Sequence, residues 1–186
     1  VAFAQRTFDR DANKIISRCN QIAAANISYR LALGGNEVVD HPLPAEEIRQ
    51  ATSLLVLEVQ DFSAPDQQVL AAAKPAQQFA SVEQALTNVV PAVQVEAAGP
   101  LRVFSRVKPG GAVIHLVNWA YQPTGDTVQP LKDVRLKLNL ADLGIAGATE
   151  ARLLAPGATP ISLPIKQASV VISELGLWGV LELRQK

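Results

Sequence analysis

The chain has no methionine, a single cysteine and few aromatic residues, 5% of its 186 positions. One cysteine rules out an internal disulfide and a cysteine-rich metal centre. Cys19 stands among Ile15, Ile16 and Ile22 at helical spacing, the setting of a small apolar packing residue rather than a nucleophile. Long hydrophobic runs are missing as well. Leu54 to Leu57 and Ala112 to Ile114 are far too short to span a bilayer, and no basic start followed by an apolar core marks a signal peptide. Neither sign of charge is in excess, with 17 basic and 17 acidic residues and no basic run of the kind that neutralises phosphates. Nucleic acid and membrane are therefore not expected partners. The missing methionine, with Val1 at the start, leads us to expect a piece of a longer polypeptide with any targeting signal upstream, so the compartment is unknown.

What is present divides into two textures. Up to about residue 92, helical and strand patterns alternate. Ala12, Ile15, Ile16, Cys19, Ile22 and Ala23 recur at three and four and predict a helix over 9–25. "ISYRLALGG" alternates as a strand does and stops at a glycine pair. Pro44 followed by Glu46 and Glu47 announces a short helix to about Thr52, its carboxylates at the positive end of the helix dipole. "SLLVLEV" is the near-continuous apolar run of a strand buried on both faces. Ser63 then caps a third helix, with Asp66 placed to reach back to the cap, and Ser81 with Gln84 repeats the spacing before Pro91.

Beyond that point helical periodicity ceases. Short β-branched segments at 93–96, 101–107, 112–119, 134–140, 149–154, 161–165, 169–173 and 177–184 recur between Gly and Pro signals, the pattern of an antiparallel sandwich or barrel. "VKPGGAV" reads as a hairpin connection. The expected fold class is thus α/β plus all-β: an α/β domain over residues 1–95 and an antiparallel β-sandwich over 96–186, linked through "EAAGP".

Few residues carry chemistry. His115 with Ser105 across the hairpin would be a catalytic pair of a small esterase-like enzyme, but no orienting carboxylate or oxyanion loop accompanies them. The strand over 112–119 is apolar on both faces, so we expect His115 to be partly buried and paired. His41, with Asp40 and Glu37, falls short of a metal ligand set, and "LALGGNE" lacks the third glycine and the lysine of a phosphate loop; no metal and no cofactor are expected. Asp61, Asp66, Asp126, Asp133 and Asp142 form no evident pair for glycoside hydrolysis and read as caps and turns. A sugar platform could be built from Trp119 and Tyr121 with Gln122 and Asp126, although Trp119 and Trp178 are more often core residues.

"VIHLVNWAYQPTGD", "VQPLKDVRLKLNL", "ARLLAPG" and "ISELGLWGVLEL" together resemble the small β-sandwich that closes many multidomain bacterial glycoside hydrolases, over about 75 residues, 112–184. "LLVLEVQDFSAPDQQVLAAA" is similar in pattern to the later part of an amidotransferase-like, flavodoxin-type α/β domain of the sort found in β-galactosidase trimerisation modules. The resemblance implies that the catalytic acids lie on an upstream (β/α)8 barrel, absent from this sequence. It further implies a non-catalytic accessory role, with that barrel or other subunits as partners and at most weak contact with oligosaccharide; a dedicated carbohydrate-binding module is an alternative reading. Balanced charge gives little repulsion between copies, and a module detached from its barrel exposes an apolar face, so self-association into a homo-oligomer is expected. Cys19, in mid-helix, does not supply the nucleophile of an amidotransferase.

Overall fold

The computed structural model describes residues 2–6, 12–34, 42–51, 53–96 and 99–185. His41, Asp40, Glu37 and Gly35 lie outside them. The chain divides into two compact units, Val1–Val90 and Pro91–Lys186. The sequence boundary at 95/96 differs from this division, because the strand Val93–Val95 hydrogen-bonds within the second unit.

The first unit is mixed α/β. Its elements are β1 (Ala2–Arg6), α1 (Ala12–Ala24), β2 (Arg30–Gly34), α2 (Ala45–Arg49), β3 (Ser53–Val56), α3 (Ala64–Ala72), β4 (Gln77–Phe79) and α4 (Val82–Asn88), with a 3-10 turn at Val59–Asp61. All the strand pairings are parallel, in the order β2-β1-β3-β4. Parallel neighbours need crossovers, and the helices supply them. Leu54 and Val56 join a core with Ile48, Phe62 and Leu70 from α2, α3 and the turn between; Leu55 and Leu57 join a separate core with Ile22, Phe79 and Val82. The unbroken apolar run of β3 follows from burial on both faces.

Local signals set the helix ends. The left-handed Asn26 (φ 57°) closes α1; its N–H reaches Ala23 O and the N–H of Ile27 reaches Ile22 O, with Ile27 and Ile22 in one apolar cluster. Ile27 therefore belongs to a helix cap, and the strand predicted from it starts only at Arg30. The Ser63 hydroxyl accepts from Asp66 N at 3.3 Å and that of Ser81 from Gln84 N at 3.2 Å. The return bonds differ from the expected capping box. Gln84 Oε1 accepts from Ala80 N, and the buried Asp66 accepts from Leu43 N at 2.8 Å, stitching α3 to the segment before α2.

The second unit is β-rich. It comprises β5 (Val93–Val95), β6 (Leu101–Lys108), β7 (Gly111–Asn118), β8 (Tyr121–Gln122), β9 (Thr127–Val128), β10 (Leu131–Leu138), β11 (Glu150–Leu154), β12 (Ile161–Pro164), β13 (Ser169–Leu175) and β14 (Trp178–Arg184). A three-stranded sheet, β13-β10-β5, and a five-stranded sheet, β12-β11-β14-β7-β6, are antiparallel throughout. They share one core, in which Val134, Leu136, Val170 and Ile172 from the first meet Ile114, Leu116, Leu153 and Leu181 from the second. The β6–β7 hairpin turns at Pro109 and Gly110, whose φ of 72° only glycine adopts without cost. Gly111 has no room for a side chain, since a Cβ would lie 2.6 Å from Leu183 O. No helix among the described residues is long and apolar enough to cross a membrane.

Candidate functional site

The aromatic residues singled out from the sequence gather around the end of β7. Asn118, its last residue, is 2% exposed and holds the chain on both sides. Its Nδ2 donates to Gln129 O at 2.6 Å and its Oδ1 accepts from Ala120 N at 2.9 Å. These bonds clamp the base of the small hairpin β8–β9, in which Tyr121 pairs with Val128 and Gln122 with Thr127. A 3-10 turn at Pro123–Gly125 and a left-handed Asp126 (φ 46°) complete the reversal. The hairpin tip then closes on itself, Tyr121 Oη donating to Asp126 Oδ1 at 3.1 Å. Trp119, whose N–H donates to Pro100 O at 2.8 Å, leaves its side chain 63% exposed.

Both tryptophans prove to be surface residues, Trp178 at 44% exposure, against the reading that favoured core positions. Of the four platform residues, Tyr121 and Asp126 are joined. Gln122, next to Tyr121 on β8, points to the opposite face of the two-stranded ribbon. Trp119 and Tyr121, two residues apart in the chain, are both exposed, and Tyr121 is tied through its hydroxyl to the Asp126 carboxylate.

The pair proposed for an esterase is not assembled. Ser105 stands opposite Ile114 and His115 opposite Phe104. Cross-strand partners share a face, so Ser105 lies on the side of the core and His115 on the other. His115 is also exposed rather than partly buried, because only one face of β7 packs against the core. The aspartates are dispersed. Asp61 ends an exposed 3-10 turn, Asp66 is buried, and Asp133 takes a left-handed conformation (φ 51°) on β10. Asp142 accepts from the Asn139 side chain. Cys19 is half-buried against the apolar cluster of α1 and α4. No group of three or more His, Cys, Asp or Glu among the described residues is placed to hold a metal.

The α/β unit carries a second feature that the sequence reading missed. A cleft of about 390 Å³ opens beyond the carboxyl end of β3, lined by Lys14, Arg18 and Gln21 of α1, by Glu58, and by Ser81 and Glu83 at the start of α4. Glu58 is left-handed (φ 54°), a conformation uncommon for a residue with a Cβ. Arg18 grips its carboxylate through both guanidinium nitrogens at 2.9 and 3.4 Å, and Lys14 adds a contact at 3.5 Å. The Arg18 hydrogen bonds, with the positive charges of Arg18 and Lys14, hold Glu58 below the ordinary glutamate range against the opposing effect of burial. Two signals pointed here: an acid inside the apolar "LLVLEV" run, and Lys14 and Arg18 one helical turn apart.

No family model matches the chain, and no curated protein matches its sequence. Among solved structures it is similar to the alpha-L-fucosidase isoenzyme 2 of Paenibacillus thiaminolyticus, at 15% identity and a TM-score of 0.36. That likeness covers 56% of this chain and 17% of the fucosidase chain, so this chain spans a small part of that protein's length.

Proposed function

We propose that this chain is a non-catalytic accessory and assembly region of a carbohydrate-active hydrolase, whose sandwich makes a weak contact with oligosaccharide through Trp119 and the Tyr121–Asp126 pair. The observation that carries this reading is the hairpin itself: an exposed Trp119 two residues before an exposed Tyr121 whose hydroxyl donates to a carboxylate at 3.1 Å, on a base clamped by a buried asparagine. Two features of the first unit support the accessory role. The parallel order β2-β1-β3-β4 supports reading the first unit as part of a doubly wound, flavodoxin-type or amidotransferase-like domain. In such a domain the turn after the central strand is where a nucleophile would stand. Here Glu58 occupies that turn, ionised and tied to Arg18, while the thiol of Cys19 is in mid-helix. The partners of this reading are an upstream catalytic barrel and other copies of the chain.

Titration of neutral oligosaccharides against intrinsic tryptophan fluorescence tests the sugar contact. Saturable quenching or a blue shift that Trp119→Ala removes supports it. A flat titration over the whole panel overturns it.

A further inference from the structure

The balance of charge over the whole chain conceals a division within it. Residues 91–186 hold ten Lys and Arg against seven Asp and Glu. Among the described residues, the strand register gathers an excess of three on one surface, the outer face of the five-stranded sheet. Arg102, Arg106, Lys108, Arg152 and Arg184 lie there against Glu150 and Glu182. Glu182 bridges Lys108 at 3.3 Å and Arg184 at 3.0 Å.

The same face carries an apolar strip. One cross-strand row reads Arg102, Val117, Trp178, the next Phe104, His115, Val180, Leu154, and the third Arg106, Val113, Glu182, Arg152. Trp178 is exposed, and Phe104, Val117 and Val180 are half-buried although they face away from the core.

We propose that this outer face binds an extended glycan bearing carboxylates. From Arg102 to Lys108 the cations run roughly 20 Å along β6, too far apart to converge on one small anion. An apolar strip carrying Trp178 and Phe104, with guanidinium groups on its rows, fits a chain of pyranose rings, apolar faces on Trp178 and Phe104 and acid groups on Arg102, Arg106 and Arg152. An excess of three charges is small beside the roughly six to ten phosphate contacts of a nucleic-acid-binding protein. The proposal rests on the reading of the chain as part of a carbohydrate-active protein and names a class of sugar, while its residues and its test are separate from those of the Tyr121 hairpin.

The test is affinity electrophoresis of the whole chain in gels containing polygalacturonate, alginate, fully methyl-esterified polygalacturonate, or single-stranded poly(U). We expect retardation by at least one of the two uronate polymers, about tenfold weaker for the esterified form and weakened about tenfold by the double substitution Arg102→Gln/Arg106→Gln, at a half-buried and an exposed position of the outer face, with an unchanged melting temperature. Trp178→Ala weakens it further, and raised salt reduces it. Equal retardation by charged and esterified polymer, lost in Trp119→Ala, overturns the acidic-glycan assignment and leaves the hairpin reading standing. Retardation by uronate that depends on the two arginines but not on Trp119 supports this assignment. Stronger retardation by poly(U), or none by either uronate polymer, overturns it.

Discussion

The two units solve the burial problem in opposite ways. In the first, each strand of a parallel sheet must be reached by a crossover, so helices cover both faces and the apolar side chains divide into two cores. In the second, two antiparallel sheets press one face each into a single core and leave the other faces exposed. The first therefore places its polar chemistry at a strand end, in the cleft around Glu58. The second places it on open sheet and hairpin surfaces. The charges also separate: residues 1–90 hold seven basic and ten acidic side chains, residues 91–186 ten and seven.

Core truncation gives the largest effect and tests whether each unit depends on its own core. Leu136→Ala, fully buried between the two sheets, should cost about 3 kcal/mol in a denaturant unfolding curve, as should Leu55→Ala in the α/β unit. If the units are as separate as their cores, each substitution shifts one transition and spares the other. A shift of both together would break the comparison.

Buried polar groups come next. Asp66→Ala leaves Leu43 N–H without its 2.8 Å acceptor and should cost about 2 kcal/mol in the same measurement. Asn118→Ala removes the bonds to Ala120 N and Gln129 O and should cost a similar amount, about 2 kcal/mol, with amide exchange rising across residues 119–129. An Asn118→Ala variant with unchanged exchange there would show that the hairpin is held by something else.

The smallest effect is expected at Glu58. Its carboxylate is a third exposed, so Glu58→Gln should cost less than about 1 kcal/mol. The sign of its pH dependence is fixed by the direction of the shift. The folded-state value lies below the ordinary 4.5, so the contribution is complete above 4.5 and is lost as pH falls through the depressed value. Stability of the wild type minus that of Glu58→Gln should therefore shrink on acidification and stay level from pH 5 upward.

The same contrast explains what the sequence disclosed. All eight strand segments expected beyond residue 92 are found, with ends shifted by up to three residues, because a strand with one buried face alternates visibly, as "LKDVRLKL" does. The segments β1 and β4 escaped notice, since strands of five and three residues among crossover helices have too few positions to show a period. The Ser63 and Ser81 caps were legible as spacing, but Asp66 as the acceptor for Leu43, 23 residues away, was not, because nothing local encodes that partner. Of the candidate site, Tyr121 with Asp126 was visible at a spacing of five. The separation of Ser105 from His115 required the register, as a one-residue slip would have moved either to the other face. The basic face was hidden because alternate residues of four strands combine to form it.

The most direct test of the central claim, that the hairpin of the β-rich unit is what meets sugar, is a titration of the isotopically labelled chain with a panel of neutral oligosaccharides, followed by amide and indole N–H chemical shifts. The account predicts shifts concentrated at the Trp119 indole and the amides of 119–128, with the α/β unit unmoved. Shifts clustered instead around Lys14, Arg18 and Glu58, with Trp119 silent, would contradict it.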